Sequence, residues 1–319
     1  MVGAETGDRL CFDERSVRRV SAVAGNRKRL YLGGHYQLCR FENVLQPDQV
    51  ANKIYDACYV ARNAQFTGEL GIHDLGVKQG GKLVFVNTAY NCLAEPSVTH
   101  SFRAIWKPDF ISALVREDRC HLSGVAMVNG RPKYVTAASK SDSDGGWREH
   151  RDNGGIIIDV ETNEIVCEGL SLPNSPRWHN GRLWVLNSGT GDLGYVDFES
   201  RRFVAHTFCP GFMRGLAIHG DYAIVGLSRP RDGRFEGLAL DQNLADRDCE
   251  VWCGIQFINL GNGNVEHWIR LDGAVTELFG LTALPGVRCP MGVSQQGSAS
   301  RAMITFEDKS GDGPQRQCE

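Results

Sequence analysis

A strand pair closed by a tight turn recurs along the whole chain, and this repeat limits what the chain can fold into. SGVAMVNGRPKYVTAAS at 123–139 reads as strand, Asn-Gly turn, strand. SPRWHNGRLWVLNSGTGDLGYVD at 175–197 has the same shape and adds a third strand after a Gly-rich turn. RGLAIHGDYAIVGLS at 214–228 and GIHDLGVKQGGKLVFVNT at 71–88 repeat the pair, and RKRLYLGGHYQLCRFENVL at 27–45 supplies the later strands of another copy. β-Branched and aromatic runs bounded by Gly, Asn and Asp favour strands over helices, and Asn-Gly supplies the positive φ that a two-residue hairpin needs. Residues 155–168, 202–208 and 254–270 are candidate outer strands. The copies start near 20, 71, 121, 174 and 213, with a further part starting near 272. That spacing is about the length of a four-stranded propeller blade.

The expected fold class is therefore all-β, a single-domain β-propeller of five or six blades over 20–307, with an N-terminal extension at 1–19 and a flexible C-terminal tail at 308–319. Helix is expected to be scarce. One helix is expected within 46–63, where Val50, Ile54, Ala57 and Cys58 share a face, and a single helical turn within 110–116.

Composition narrows the partners. A net charge of −3 and a pI near 6.3 give no basic stripe for nucleic acid. No apolar stretch reads as a secretory signal or a membrane span, so the chain is expected to be cytoplasmic, with no membrane partner. In that compartment the 11 scattered cysteines are expected to be reduced and mostly buried. Cys249 and Cys253 lack the second pair that a zinc site needs. There is no G-x-S-x-G elbow, P-loop, dinucleotide fingerprint or H-E-x-x-H motif, so no nucleotide cofactor is expected.

The chemistry-bearing residues gather where each inner strand begins. With the copies aligned on Val86, Val135, Val185 and Val225, the residues His73, His121, Asn174 and Arg214 fall at nearly one place. In a closed ring such positions converge on the axis. Asp74, Asp118, Arg119, Ser123, Ser175 and Arg177 flank them. Two imidazoles and an oxygen donor, here His73, His121 and Asn174, can hold one divalent transition metal (copper, iron, zinc or manganese) with positions left open. Asp74 and Asp118 can orient the imidazoles. Arg214 or Arg177 can grip an anionic group. The competing reading is that these polar groups tie neighbouring blades together by hydrogen bonds. The polar insertion at 140–154 carries Trp147 and is a candidate cover for the channel mouth.

The strings IHDL, FVNTAYNCLA, IWKPDFIS, EDRCHLSGVAM, GGWREHRDNGGIIIDV, SLPNSPRWHNGRLWVLNSGTG, PGFMRGLAIHGDYAIVGLSRPR and CGIQFINL resemble a bacterial β-propeller family catalogued as domain of unknown function 4915, some members of which are fused to tetratricopeptide repeats. The resemblance runs from about Leu30 to Pro290. The family pattern implies Cys-His-Leu-Asn-Gly-Leu-Ala and Met-Pro-His-Ser-Pro-Arg-Trp. His121 and Arg177 match it, Ser123 stands for its Asn, and Asn174 stands for its His. The resemblance thus implies a three-histidine set of which this chain keeps two.

Two classes of function fit the sequence. One is an enzyme acting at the channel mouth on a small anionic or amino-acid- or peptide-derived substrate in specialised metabolism, metal-assisted if a cation is held. It would use His73, His121, Asn174, Arg214, Arg177, Asp74 and Trp147. The other is a non-catalytic scaffold that binds a protein partner through rim aromatics such as Trp106, Trp147 and Trp178.

Overall fold

The computed structural model describes residues 1–5, 9–13, 15, 19–294 and 298–306, and the expected tail at 308–319 lies outside them. Five sheets stand around one axis, so the propeller has five blades. Blade two runs outward through Ile72–Val77, Leu83–Asn87, Cys92–Glu95 and Arg103–Trp106. Blade three uses Leu122–Val128, Arg131–Ala137, Gly155–Asp159 and Ile165–Leu170. Blade four uses Pro173–His179, Arg182–Asn187, Asp192–Asp197 and Arg202–Phe208. Blade five uses Phe212–His219, Tyr222–Ser228, Gly254–Asn259 and Val265–Arg270. In each, consecutive strands pair antiparallel; most connections are short, while those at 138–154 in blade three and 229–253 in blade five are long and each carry a helix.

Blade one is built from Ala22–Gly25, Arg29–Gly33, Gln37–Asn43 and Ala57–Phe66, and the late strand Pro290–Gly292 joins its outer edge in parallel. A separate hairpin, Val2–Glu5 with Arg9–Phe12, precedes it, and Asp13 accepts a hydrogen bond from the Gly292 backbone.

Of the five or six blades expected, five are present, and two helix expectations are corrected. The part from 272 onward is not a sixth blade. Its residues 278–281 form an extended strap that fills the gap between the inner strands of blades five and one. Leu278 N–H donates to Ser228 Oγ at 2.9 Å, and a Cβ on Gly280 would meet the Val23 backbone nitrogen at 3.0 Å. The helix expected at 46–63 is absent: Ala57–Phe66 is a strand paired to Gln37–Asn43. Ala57, Cys58, Tyr59 and Val60 are all buried in that sheet, while Val50 and Ile54, which the apolar helix face required, are each 50% exposed. Residues 110–116 form no helix either. Helix appears instead at Gly146–His150 (one tight turn), Ala239–Asp246 and Ser298–Ala302.

The core lies between blades. Val84, Val86 and Leu93 of blade two pack on Leu122, Val125, Val135 and Ile156 of blade three. Trp184, Leu186 and Leu193 of blade four pack on Met213, Leu216 and Val225 of blade five. Each such aliphatic side chain contributes about 1.5–3 kcal/mol on burial. Hydroxyls then lock the inner ends. Ser21 Oγ donates to Ile72 O at 2.5 Å, Thr88 Oγ1 to Leu122 O at 2.6 Å, Ser123 Oγ to Pro173 O at 2.5 Å and Ser188 Oγ to Met213 O at 2.8 Å. Every one of these bonds crosses to the next blade, so blade-to-blade tying accounts for Ser123. Ser175 serves the same end by accepting the Gly215 N–H at 3.2 Å.

The inner strands of blades two to five share one irregularity. Ile72 faces Asn87 while Leu75 faces Phe85, so the inner strand spends one more residue than its partner. The same extra residue appears before Gly124, Arg177 and Leu216. A bulge bends the strand and re-aims the side chains beside it. Here the bulges sit at the one end of the ring that carries His73, Asn174 and Arg214.

Candidate functional site at the channel mouth

His73 lies in the bulge of blade two and His121 is the residue just before the inner strand of blade three. Their ring centroids are 4.9 Å apart with planes at 78°, an edge-to-face contact. His121 adopts a positive φ of 53° and Asp118 one of 31°, conformations that side-chain-bearing residues avoid. The local fold enforces them. Glu117 N–H donates to Ala89 O at 3.0 Å, Cys120 N–H to Asn91 Oδ1 at 3.0 Å, and Ala138 N–H to His121 O at 3.2 Å. Strain of this kind, about 1–3 kcal/mol per residue, persists only where surrounding contacts over-determine it.

The strain places Asp118 beside His121. The carboxylate Oδ2 is 2.9 Å from His121 Nδ1, and Trp147 Nε1–H donates to the same oxygen at 3.1 Å. Trp147, on the one-turn helix of the long insertion, also stacks on His121 with centroids 4.1 Å apart and planes at 29°. The insertion therefore does cover this part of the mouth. With Nδ1–H directed at Asp118, the lone pair of Nε2 is left for chemistry. His73 differs: neither of its ring nitrogens has a hydrogen-bond partner among the described residues. Burial, then His121, then the Arg214 charge hold its pKa well below the ordinary 6.5, so it stays neutral at physiological pH.

Arg214, in the bulge of blade five, stacks against Phe212 and Phe279, whose ring centroids lie 5.1 Å and 4.7 Å from its Cζ. Burial pushes its pKa down to about 10, which still leaves it charged at pH 7. Glu277 is 3.8 Å away, outside hydrogen-bond range. Asn174 Nδ2 donates to Leu172 O at 3.1 Å and to Ser188 Oγ at 3.3 Å, which leaves Oδ1 as its available donor atom for a ligand.

Arg177 and Asp74 do something else. Arg177 grips Asp74 at 2.8 and 2.9 Å, and donates to Leu216 O at 2.8 Å and Val125 O at 3.3 Å. Asp74 also accepts the Val125 N–H at 3.0 Å. One guanidinium thus joins blades two to five. The guanidinium expected to grip a ligand spends its donors on the protein, and the carboxylate expected to orient an imidazole binds Arg177. Arg119 is likewise occupied, by Glu117 at 2.7 Å and Asp142 at 2.7 Å.

Cys92 is buried among apolar neighbours, and burial pushes its thiol up to about 12, so it is no nucleophile at neutral pH. Cys120, Cys167, Cys209 and Cys253 are also buried free thiols. Cys289 departs from the all-reduced expectation, being disulfide-bonded. Trp106 and Trp178 pack against the cores of blades two to four rather than forming a rim patch.

Phe279, Glu277 and Arg231 were not singled out from the sequence. They lie on loops with no strand periodicity, and only the Arg231–Glu277 charge pairing could have hinted at them.

The donor set suits a cation in part of its geometry. His121 is oriented by a carboxylate as metal-bound histidines usually are, and His73 is neutral and has no hydrogen-bond partner. Asn174 can add an oxygen. Among the described residues no group of three His, Cys, Asp or Glu side chains gathers.

A five-bladed propeller with a cluster of polar side chains where its inner strands begin is thus the class of protein in hand. The chain belongs to the family described as Domain of unknown function (DUF4915), whose model matches residues 1–293. No curated protein matches it. Among solved structures, a nidogen/laminin complex chain superimposes with a TM-score of 0.51 at 12% identity, covering 82% of this chain and 84% of that one. That likeness shows the fold. Hydrazine synthase of Kuenenia stuttgartiensis (TM-score 0.40, 12% identity, 63% of this chain and 49% of that one) and the computationally designed Ika8 protein (0.39, 10%, 84% and 66%) match more loosely. The chain spans about half the length of the hydrazine synthase chain. No helix of the described residues is long and apolar enough to cross a membrane.

Proposed function

We propose that this chain is an enzyme that acts on a small anionic, amino-acid- or peptide-derived substrate at the channel mouth. The observation that carries this reading is the His73–His121 contact at 4.9 Å, in which one imidazole has Asp118 on its Nδ1 and the other has no hydrogen-bond partner. His73 is half-buried, so its ring nitrogens stay open to a ligand or to water.

In this mechanism Asp118 fixes the His121 tautomer, and His121 Nε2 takes a proton from the substrate or from water and returns it later. Proton transfer by a positioned histidine contributes about 10²–10⁴-fold. Trp147 excludes water from one face of His121. Arg214 supplies the positive charge that holds the anionic group. A divalent metal would be held by His73, the His121 Nε2 and the Asn174 Oδ1; it would take the lone pair that otherwise accepts the proton, so it would replace the acid–base role of His121, and would supply Lewis-acid polarisation of a carbonyl or of water.

The scaffold reading loses support because Trp106 and Trp178 pack inward and Trp147 stacks on His121. The test has two arms. Untargeted mass spectrometry of a pool of acylated amino acids and short peptides should show consumption by the wild type and none by a folded His121→Ala variant. Elemental analysis of tag-free protein beside His73→Ala/His121→Ala should show any metal lost in the variant. A His121→Ala protein that retains full turnover would remove the acid–base reading.

A further inference from the structure

We infer that Arg214 is a carboxylate-binding subsite and that Arg231 keeps it open by holding an internal competitor, Glu277, away from it. This rests on the channel-mouth reading above and names the group of the substrate that is recognised.

Arg214 is a mostly buried cation whose N–H groups make no hydrogen bond to any described residue. Its side chain is 27% exposed, and Phe212 and Phe279 lie against the guanidinium. Aromatic faces leave the edge of a guanidinium, with its parallel N–H groups, as the open approach. A planar acceptor with two oxygens fits that edge in bidentate fashion.

Among the described residues, Glu277 is the carboxylate that approaches Arg214, and it is otherwise engaged. Arg231 holds it with two bonds, Nε to Oε1 at 2.8 Å and Nη2 to Oε2 at 2.9 Å. The remaining approach to Arg214 is 3.8 Å. Two guanidinium charges face one carboxylate, so one positive charge is left over. A leftover of a single charge suits a monoanionic carboxylate better than a dianionic phosphate. A carboxylate bound there would neutralise Arg214. The carbon next to the carboxylate would then lie on the histidine side of the site.

Arg231 acts through Glu277 and is a positioning residue. Without it, Glu277 is released to pair with Arg214 and block the subsite. Its side chain is 67% exposed, so its replacement should not unfold the chain.

The experiment is a titration of the full chain, labelled with ¹³C-histidine, followed by NMR of the imidazole C–H groups. The probes are N-acetylglycine and its uncharged analogue N-acetylglycinamide, with inorganic phosphate as a third. The wild type should bind N-acetylglycine, with shifts of the His73 ring C–H signals, and ignore the amide. R214Q should weaken binding at least about tenfold, the effect of one lost charge-assisted hydrogen bond. R231Q should weaken it similarly, and R231Q/E277Q should recover it, which a merely structural role for Arg231 would not produce. Equal binding of acid and amide, undiminished binding by R214Q, tighter binding of phosphate, or no recovery in the double variant would each overturn the assignment. Binding without turnover in any substrate pool would leave the subsite standing while the enzyme reading falls. Turnover of a substrate without a carboxylate would do the reverse.

Discussion

Arg177 meets Asp74 through two hydrogen bonds, at 2.8 and 2.9 Å, and from that position reaches the backbone of two further blades. Asp74 is 5% exposed and Arg177 is 23% exposed. Breaking a buried pair by removing one partner costs about 3–5 kcal/mol, because the other charge is left without compensation. The partial exposure of Arg177 puts this clasp near the lower end. Asp74→Asn and Arg177→Met should each lower the stability measured by urea unfolding by about 3 kcal/mol. An unchanged urea midpoint in both would show that the clasp does not hold the blades together.

Asp118 and His121 should behave differently, since their contacts serve the site more than the fold. His121→Ala should leave the unfolding midpoint nearly unchanged and reduce turnover about 10²–10⁴-fold. Asp118→Asn should retain the ring position but favour the wrong tautomer, and so fall between wild type and His121→Ala. Trp147→Phe should retain the stack, lose the hydrogen bond to Asp118, and show a smaller loss than either. Steady-state kinetics on whichever substrate the pool reveals will rank the three. A larger loss in Trp147→Phe than in His121→Ala would contradict the order.

Much of this was legible because the turn chemistry is local. Inner strands expected to start near 71, 121, 174 and 213 start at Ile72, Leu122, Pro173 and Phe212. Helix was wrongly expected at 46–63 because a short apolar run does not by itself separate a buried strand from a helix face. In the site, His73, His121 and Arg214 were found by counting back from shared hairpins. The partner of Arg177 was not visible, because it is 103 residues away and is brought close by ring closure alone. The Arg214 surroundings were hidden for a related reason. Glu277 precedes, and Phe279 lies on, a strap whose position is set by the gap between the first and last blades.

His73 makes stability depend on pH with a definite sign. Its folded pKa lies well below the ordinary 6.5. Between those values the unfolded chain binds a proton that the native site refuses, so this group's contribution is present above about 6.5 and is lost as pH falls. His73→Gln should therefore flatten the decline in stability between about pH 6.5 and 5 relative to wild type. Parallel urea titrations at each pH will show it. Identical slopes would mean that His73 titrates as it does in the unfolded chain.

Asn174 offers a gain-of-binding test for the metal reading. It stands where the resembling family pattern has a histidine, just before the bulge of blade four. Asn174→His would complete a three-imidazole set with His73 and His121, the donor number of many catalytic zinc and copper sites. The variant should retain metal through a chelator wash that strips the wild type, as read by elemental mass spectrometry. The added affinity should vanish in Asn174→His/His121→Ala. Equal retention by variant and wild type would mean that the three positions do not converge closely enough to share an ion.

The strap ties the closure of the ring to the chemistry at its mouth. Gly215 has φ of +76°, and a Cβ there would lie 2.7 Å from the Leu281 backbone nitrogen and 2.9 Å from the Phe279 carbonyl oxygen. Both obstacles are backbone, so the strap itself would have to move. Gly215→Ala combines this clash with a left-handed conformation that alanine disfavours, and should destabilise the protein by about 1–3 kcal/mol. Gly280→Ala meets Val23 and Ala22 at 3.0 and 3.2 Å without a positive φ, and should be milder. Phe279 stacks on Arg214 from this strap. Gly215→Ala should therefore weaken carboxylate binding more than an equally destabilising substitution in a remote core, such as Val196→Ala in blade four. Comparing the two variants by urea unfolding and by N-acetylglycine titration separates the effects. If both lose affinity only in proportion to stability, the strap closes the ring but does not position the anion site.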